Sequence, residues 1–255
     1  MVSTVEKWFP YRKGMGTFEL FAIPHVGAAS TVFNDLRGEL AGDGVALSAT
    51  VLPGHGRRIR EKLHDRMDTL LAEFADMAER DGYSAFSGNY GLLGSCSGAV
   101  IAYELAKILV AAPCPNPQLL VVCSGHAPAR VRDSGMSQLS TADLFARTAS
   151  LGGTADALML DQDFMAVLEP VLRADWAIYD GYVHQPAPKL PLPILAARGN
   201  EDTQVNREDL LLWEDYTSEK FMTAELPSGH WALLGEGPAA LAREIRAARS
   251  AVGAA

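Results

Sequence analysis

Short apolar segments alternate with longer amphipathic segments along most of the chain. The apolar runs are nearly continuous, as is typical of parallel strands buried on both faces, and they predict strands over residues 17–24, 46–52, 90–95, 119–124, 194–198 and 221–226. Apolar positions at helical spacing predict helices over residues 31–41, 69–81, 97–111, 209–218 and 238–252. This alternation predicts an α/β fold in which helices flank a mostly parallel central sheet.

Residues 127–188 interrupt the alternation, since they contain helical patterns and no convincing strand. Prolines mark both ends of the segment, with Pro128 at one end and Pro186 and Pro188 at the other. A helical insertion between two core strands is typical of a lid over an active site, and a purely structural cap is the alternative. We therefore predict a single domain over residues 1–255 with a helical lid at about 127–188.

The composition limits the cellular location and the kinds of binding partner to be expected for this protein. No apolar run approaches the roughly 18 residues of a membrane span, and no signal peptide is visible, so the cytoplasm is the expected location. The net charge of −9 argues against non-specific binding to nucleic acid or to an anionic membrane. The three cysteines show no spacing typical of a zinc site or a disulfide framework, so no metal is expected.

A strand, a tight turn and a helix are predicted around Cys96, where residues 94–98 read Gly-Ser-Cys-Ser-Gly. This is the layout of the G-x-S-x-G nucleophile elbow, with cysteine in the central position. Gly94 and Gly98 lack Cβ atoms, so the strand and the helix can approach closely around the bend. Free N–H groups and the positive dipole end of the helix that begins near Ser97 are expected to lower the pKa of the thiol. We predict that Cys96 is a nucleophile.

Two later strand-end loops carry the partners that such a nucleophile needs. Glu201 and Asp202 follow the strand at 194–198, and His230 follows the strand at 221–226. Nucleophile, acid and histidine then occur in the order found in α/β-hydrolase triads. We predict that His230 transfers the thiol proton while Asp202 orients its ring. Glu201 and, in the predicted lid, Asp175 and Asp180 are alternatives to Asp202.

An oxyanion hole is predicted from two backbone N–H groups. One belongs to Ser97, the residue after the nucleophile, and the other to the glycine-bearing loop after the first strand, where we assign it to Val26. His25 in the same loop is a candidate for a loop-fixing hydrogen bond, for substrate contact or for catalysis.

Several separated motifs resemble the type II (external) thioesterases of polyketide and non-ribosomal peptide assembly lines. Residues 21–28 look like the first-loop signature of that family, 52–58 resemble its Pro-Gly-Arg loop, 172–176 resemble a lid motif with Arg-Ala-Asp, and 229–231 resemble its histidine loop. The elbow departs from the usual Gly-His-Ser-Met-Gly, and Val26 and Ala28 replace the Ala and Gly that the family favours.

The resemblance implies an acyl group carried as a thioester on the phosphopantetheine arm of an acyl or peptidyl carrier protein. It also implies a monomer that acts in trans and needs no cofactor of its own. The basic residues Arg57, Arg58, Arg60 and Lys62 are candidates for contacting the pantetheine phosphate or an acidic carrier surface, and a solvated loop face is the alternative.

Cysteine widens the range of reactions, because a thioester on Cys96 stays activated toward a second nucleophile. Our leading hypothesis is a thioesterase that hydrolyses carrier-bound acyl groups through a covalent Cys96 acyl-enzyme. The first alternative is a cysteine-dependent acyltransferase or cyclase that passes the acyl group to an amine, hydroxyl or thiol. The second alternative is a catalytically silent, hydrolase-like binding protein.

Overall fold

A six-stranded, all-parallel sheet forms the centre of the computed structural model, which describes residues 4–12, 16–150 and 162–253. Its strands are β1 (Phe18–Ile23), β2 (Val45–Ala49), β3 (Tyr90–Ser95), β4 (Leu120–Cys123), β5 (Ile194–Gly199) and β6 (Phe221–Leu226). The spatial order is β2-β1-β3-β4-β5-β6. The chain thus adds β2 on one side of β1, returns, and adds β3 to β6 one after another on the other side. All the strands that the sequence predicts are present, and their parallel arrangement is confirmed.

Helices cover both faces of the sheet. They are α1 (Thr4–Trp8), α2 (Asn34–Leu40), α3 (Met67–Arg80), α4 (Ser97–Ala111), α5 (Thr141–Ser150), α6 (Gln162–Asp180), α7 (Arg207–Leu211) and α8 (Gly237–Gly253). In β1, Phe18 and Leu20 pack in the layer that contains α2 and α8, whereas Phe21 and Ile23 pack in the layer that contains α3 and α4. Because both faces are buried, the strands need apolar residues at nearly every position, which is the pattern the sequence shows.

Tertiary contacts modify two of the predicted helices. The helix predicted at 31–41 begins with a 3₁₀ turn, Ser30–Phe33, before α2. The helix predicted at 209–218 begins earlier, because the Asn206 side chain accepts a hydrogen bond from the Asp209 N–H and caps α7. It then continues as the 3₁₀ helix Leu212–Tyr216, in which buried Trp213 donates its indole N–H to the Gly125 carbonyl.

The described residues between β4 and β5 are helical and contain no strand as far as residue 188, as the sequence predicts. Leu172 of α6 packs with Met136, Leu144 and Phe145 in a small apolar cluster of this insertion, to which Val26 of the loop after β1 also contributes. Residues 151–161 of the predicted lid lie outside the described residues. The lid function of this segment stays a prediction. None of the helices in the described ranges combines the length and the apolar character that a membrane-spanning helix requires.

Candidate active site

Cys96 occupies a strained bend between β3 and α4. Its φ of 51° and ψ of −117° lie in a region that L-residues rarely adopt. A Cβ atom on Gly94 would lie 2.2 Å from the Gly98 carbonyl oxygen, and one on Gly98 would lie 2.5 Å from the Ile23 carbonyl oxygen. Both glycines are therefore required for the close approach of strand, helix and the neighbouring end of β1.

The structure brings Cys96, His230 and Asp202 together at the carboxyl edge of the sheet. Asp202 follows β5 and His230 follows β6, two strands that pair in parallel as far as Gly199 and Leu226. His230 Nε2 lies 3.2 Å from Cys96 Sγ, and His230 Nδ1 lies 3.1 and 3.0 Å from the two carboxylate oxygens of Asp202. This geometry allows a proton to pass between sulfur and imidazole while the carboxylate orients the ring.

Hydrogen bonds shift the pKa values of Asp202 and His230. Burial opposes ionisation of Asp202, but hydrogen bonds from His230 and from the N–H groups of Gln204 and Val205 outweigh burial and lower its pKa. Burial also opposes the charge on His230, yet its contacts with Asp202 and Cys96 outweigh burial and raise its pKa to about 10. Both contacts thus favour a proton on the His230 ring, beside the sulfur.

The other acids named as alternatives to Asp202 lie elsewhere. Glu201 is exposed, although it is next to Asp202 in sequence. Asp180 accepts hydrogen bonds from the N–H groups of Ser134 and Ser137 within the insertion. Asp175 contacts His55 and the loop after β1. None of these three carboxylates contacts His230 among the hydrogen bonds of the described residues.

The predicted oxyanion donors lie side by side, and one of them is already engaged. Ser97 is the first residue of α4, so its N–H has no intrahelical partner. The Val26 N–H donates to the Ser97 hydroxyl oxygen at 2.9 Å. We call residues 24–29 the oxyanion loop. Sequence reasoning considered only the backbone of Ser97 and missed its side chain, although a hydroxyl at the start of a helix beside this loop was a visible signal.

His25 is held by ring packing. Its ring centroid lies 4.4 Å from that of Trp231, and its buried Nδ1 has no hydrogen-bond partner among the described residues. Burial, assisted by the nearby charge of His230, lowers the pKa of His25 to about 3, so the imidazole is neutral. Among the described residues the His25 side chain makes no hydrogen bond that would fix the oxyanion loop, which corrects that expectation; only its backbone carbonyl accepts the Ala28 N–H within the loop. Its position on the cavity wall leaves substrate contact open to test.

A cavity of about 520 Å³ opens beside Cys96. Its wall is mostly apolar and comes from the oxyanion loop, from α6 and from the loop after β6, with side chains that include Val26, Phe164, Val167, Leu168, Leu172, Trp176, Trp231 and Leu233. Such a cavity suits an apolar acyl group bound next to the sulfur.

The four basic residues Arg57, Arg58, Arg60 and Lys62 differ in how far they are buried. Arg58 is only 4% exposed, and its guanidinium donates to Glu61, to Glu73 and to the Val51 carbonyl. Arg58 thus serves the internal structure of its loop, and the expectation that it contacts a carrier is corrected. Arg57 is exposed and lies in the chain between Gly56 and Ile59, two residues of the cavity wall. Arg60 and Lys62, farther along the loop, are exposed as well.

Comparison with known proteins identifies the relatives of this chain. Residues 18–248 match the model of the thioesterase domain family. RedJ, a thioesterase from the prodiginine biosynthetic pathway in Streptomyces coelicolor, superposes with a TM-score of 0.84 and 30% identity over 92% of this chain and 87% of RedJ. Thioesterase PikA5 of Streptomyces venezuelae is 28% identical over 214 residues, which are 84% of this chain and 75% of PikA5.

Some relatives are much longer. Phenyloxazoline synthase MbtB of Mycobacterium tuberculosis is 29% identical over 214 residues, and the chain spans only 15% of its length. The parallel sheet, the elbow after β3 and the superposition on RedJ define an α/β-hydrolase fold, which confirms the predicted fold class. Within that class, the chain belongs to the thioesterase domain family.

Proposed function

We propose that this protein is a thioesterase that releases acyl groups from the phosphopantetheine arm of a carrier protein through a covalent Cys96 acyl-enzyme. The observation that carries the proposal is the 3.2 Å contact between Cys96 Sγ and His230 Nε2, on a histidine oriented by Asp202. The adjoining apolar cavity supplies room for the acyl group. Membership of the thioesterase domain family supports the same reaction class.

In the first half-reaction, the Cys96 sulfur attacks the thioester carbonyl carbon as a thiolate, with its proton held on His230. The bond between the carbonyl carbon and the pantetheine sulfur then breaks, and the leaving sulfur takes the proton from His230. In the second half-reaction, His230 accepts a proton from water, and the hydroxide formed attacks the acyl-enzyme. The bond to Cys96 breaks, the free acid leaves, and the proton remains on His230 beside the regenerated thiolate.

The negative charge that develops on the carbonyl oxygen needs donors next to the elbow. The Ser97 N–H at the start of α4 and the Val26 N–H are suited to this role. Since the Val26 N–H donates to the Ser97 hydroxyl in the free enzyme, the substrate oxygen has to replace that hydroxyl as its partner.

The relatives support a carrier-bound substrate. RedJ is a thioesterase from the prodiginine pathway, and BorB is a type II thioesterase from the borrelidin cluster. We therefore propose that this chain acts on acyl or peptidyl carrier proteins of such an assembly line, as a separate monomer in the cytoplasm and without a cofactor of its own. Exposed Arg57 and Arg60 are the proposed contacts for the pantetheine phosphate.

Acyl transfer is the second candidate function, and the sulfur at position 96 is the observation that favours it. An acyl group on Cys96 remains a thioester, which amines and thiols attack readily, so an acceptor bound in the cavity competes with water.

One experiment separates the candidate functions. The protein is incubated with a panel of acyl-carrier thioesters, with and without an amine acceptor, and products and acyl-enzyme are followed by mass spectrometry. Free acid together with a transient acyl group on Cys96 supports the thioesterase, and an amide that forms at the expense of the acid supports transfer. Neither product, and no acyl-enzyme with any member of the panel, would sink both proposals. Cys96→Ala is the control.

A further inference from the structure

Asp175 of α6 lies between two loops that belong to the core of the domain. One of its carboxylate oxygens, Oδ2, accepts the Gly27 N–H of the oxyanion loop at 2.7 Å and contacts His55 Nε2 at 3.0 Å. The side chains of His55 and Asp175 are both only 8% exposed. This carboxylate has no direct role in the proposed reaction.

The geometry defines the charges of the pair. His55 Nδ1 lies 3.1 Å from the Pro53 carbonyl oxygen, which can only accept a hydrogen bond, while Nε2 faces the Asp175 carboxylate. Both ring nitrogens donate when Asp175 is ionised; burial opposes the charge on His55, but its contacts with the Asp175 carboxylate raise the pKa of the ring. A buried imidazolium and a buried carboxylate with complementary hydrogen bonds form an ion pair that is costly to break.

The oxyanion loop also packs tightly against α6. Gly27 has a φ of +69°, and a Cβ atom there would lie 2.4 Å from a methyl group of Leu172. The Val26 side chain joins the apolar cluster around Leu172. The loop is thus held from two sides, because Ser97 accepts the Val26 N–H and Asp175 accepts the next N–H along the chain.

We propose that the His55–Asp175 ion pair holds the oxyanion loop in its working position. Asp175 is then a positioning residue that acts through the Gly27 N–H to orient the Val26 N–H, and His55 fixes the carboxylate that does so. This inference rests on the proposed thioester reaction, in which the Val26 N–H stabilises the oxyanion. It also connects the helical insertion to the catalytic edge of the sheet.

The test compares two reactions of Cys96 that differ in their need for an oxyanion hole. Thioester cleavage develops negative charge on a carbonyl oxygen, whereas alkylation of the sulfur by iodoacetamide does not. Asp175→Asn removes the charge with little change in shape, and Asp175→Ala removes the acceptor. Asp180→Asn is the matched control, because Asp180 lies on the same helix and, among the described residues, accepts hydrogen bonds only from Ser134 and Ser137 of the insertion.

We expect Asp175→Ala to lower kcat/KM for an acyl-carrier thioester by about 10- to 100-fold. This decrease is smaller than the one expected when an oxyanion donor is removed altogether, because the Val26 N–H is still present. The kcat/KM of Asp175→Asn is expected to lie between those of Asp175→Ala and the parent. The rate of alkylation of Cys96 should stay within about twofold of the parent in each variant, since the contact of Cys96 with His230 is unchanged. Asp180→Asn should change neither rate. If Asp175→Ala does not fold, Asp175→Asn decides the outcome by the same two rates.

Hydrogen exchange of the peptide that contains residues 24–29 supplies a readout independent of turnover. Exchange should be faster in Asp175→Ala and Asp175→Asn than in the parent and the control, while the elbow peptide is unaffected. Unchanged thioester turnover, a parallel loss of alkylation, or unchanged loop exchange would each overturn the inference. If the parent protein alkylates normally yet cleaves no thioester, the proposed function fails instead, and loop exchange alone decides whether Asp175 positions the loop.

Discussion

The Nε2 atom of His230 lies 3.2 Å from the Sγ atom of Cys96, although 134 residues separate the two in the chain. The contact exists because β3 and β6 end at the same edge of one parallel sheet. The proposed nucleophile and its proposed base thus meet at the end of two strands, in a domain that matches the thioesterase domain family over residues 18–248.

Replacing the proposed nucleophile separates its attack on the substrate from the later fate of the acyl-enzyme. Cys96→Ala should lower kcat/KM by at least about 1000-fold, because no covalent intermediate can form. Cys96→Ser should retain hydrolysis within about 100-fold of the parent, since His230 can act as its general base. Its acyl-enzyme is an oxygen ester, which amines attack less readily, so the ratio of amide to acid should fall. Product analysis with an amine acceptor measures this ratio, and an equal ratio for both proteins would contradict it.

Ser97 tests how the oxyanion site is prepared. Its hydroxyl accepts the Val26 N–H in the free enzyme, so Ser97→Ala should release this donor for the substrate. We expect kcat/KM to rise about threefold and the free energy of unfolding to fall by about 1 kcal/mol, the net value of one hydrogen bond. Steady-state kinetics and urea unfolding measure the two effects. A tenfold loss of kcat/KM would contradict this prediction and would mean that the Ser97 hydroxyl either donates to the oxyanion or is needed to hold the oxyanion loop.

His230 should make stability depend on pH in a defined direction. Its folded-state pKa of about 10 lies above the reference value of 6.5 that applies to the unfolded chain. The extra stability from the charged ring is complete below pH 6.5, decreases as the unfolded chain loses its proton, and is lost once the pH passes about 10. The difference in unfolding free energy between Cys96→Ala and the double variant Cys96→Ala/His230→Gln, in which no thiol exchanges a proton with the ring, should therefore shrink as the pH rises above 6.5. His55 is common to both proteins, so its titration cancels; a constant difference would contradict the prediction.

The exposed arginines should matter only for a carrier-bound substrate. Reversing both charges with Arg57→Glu and Arg60→Glu is expected to raise KM for an acyl-carrier thioester by about tenfold, because a phosphate or an acidic carrier is then repelled. The KM for the same acyl group on N-acetylcysteamine, which has neither phosphate nor carrier, should not change. Arg80→Glu at the end of α3 is the control for a general charge effect. Equal KM changes for the two substrates would show that Arg57 and Arg60 do not contact the carrier or its phosphate.

Much of this organisation was readable from the chain itself. The parallel strands were predictable because burial on both faces demands continuous apolar runs, and the elbow was predictable because only glycine fits at positions 94 and 98. The proposed partners Asp202 and His230 were found because strand-end loops of a parallel sheet converge at one edge. These inferences depend on local pattern and on chain order, which the sequence contains.

Contacts between side chains distant in sequence could not be predicted in this way. Arg58 looked like a surface cation, but Glu61 and Glu73 surround it in a buried site. The pairing of the Val26 N–H with the Ser97 hydroxyl joins positions 71 residues apart, and that of the Gly27 N–H with Asp175 joins positions 148 apart. Residue types and spacing cannot specify such contacts, since they depend on how α6 and the loops pack over the sheet. The fold and the candidate nucleophile thus follow from the pattern of residues along the chain, whereas the contacts made by the oxyanion loop depend on tertiary packing.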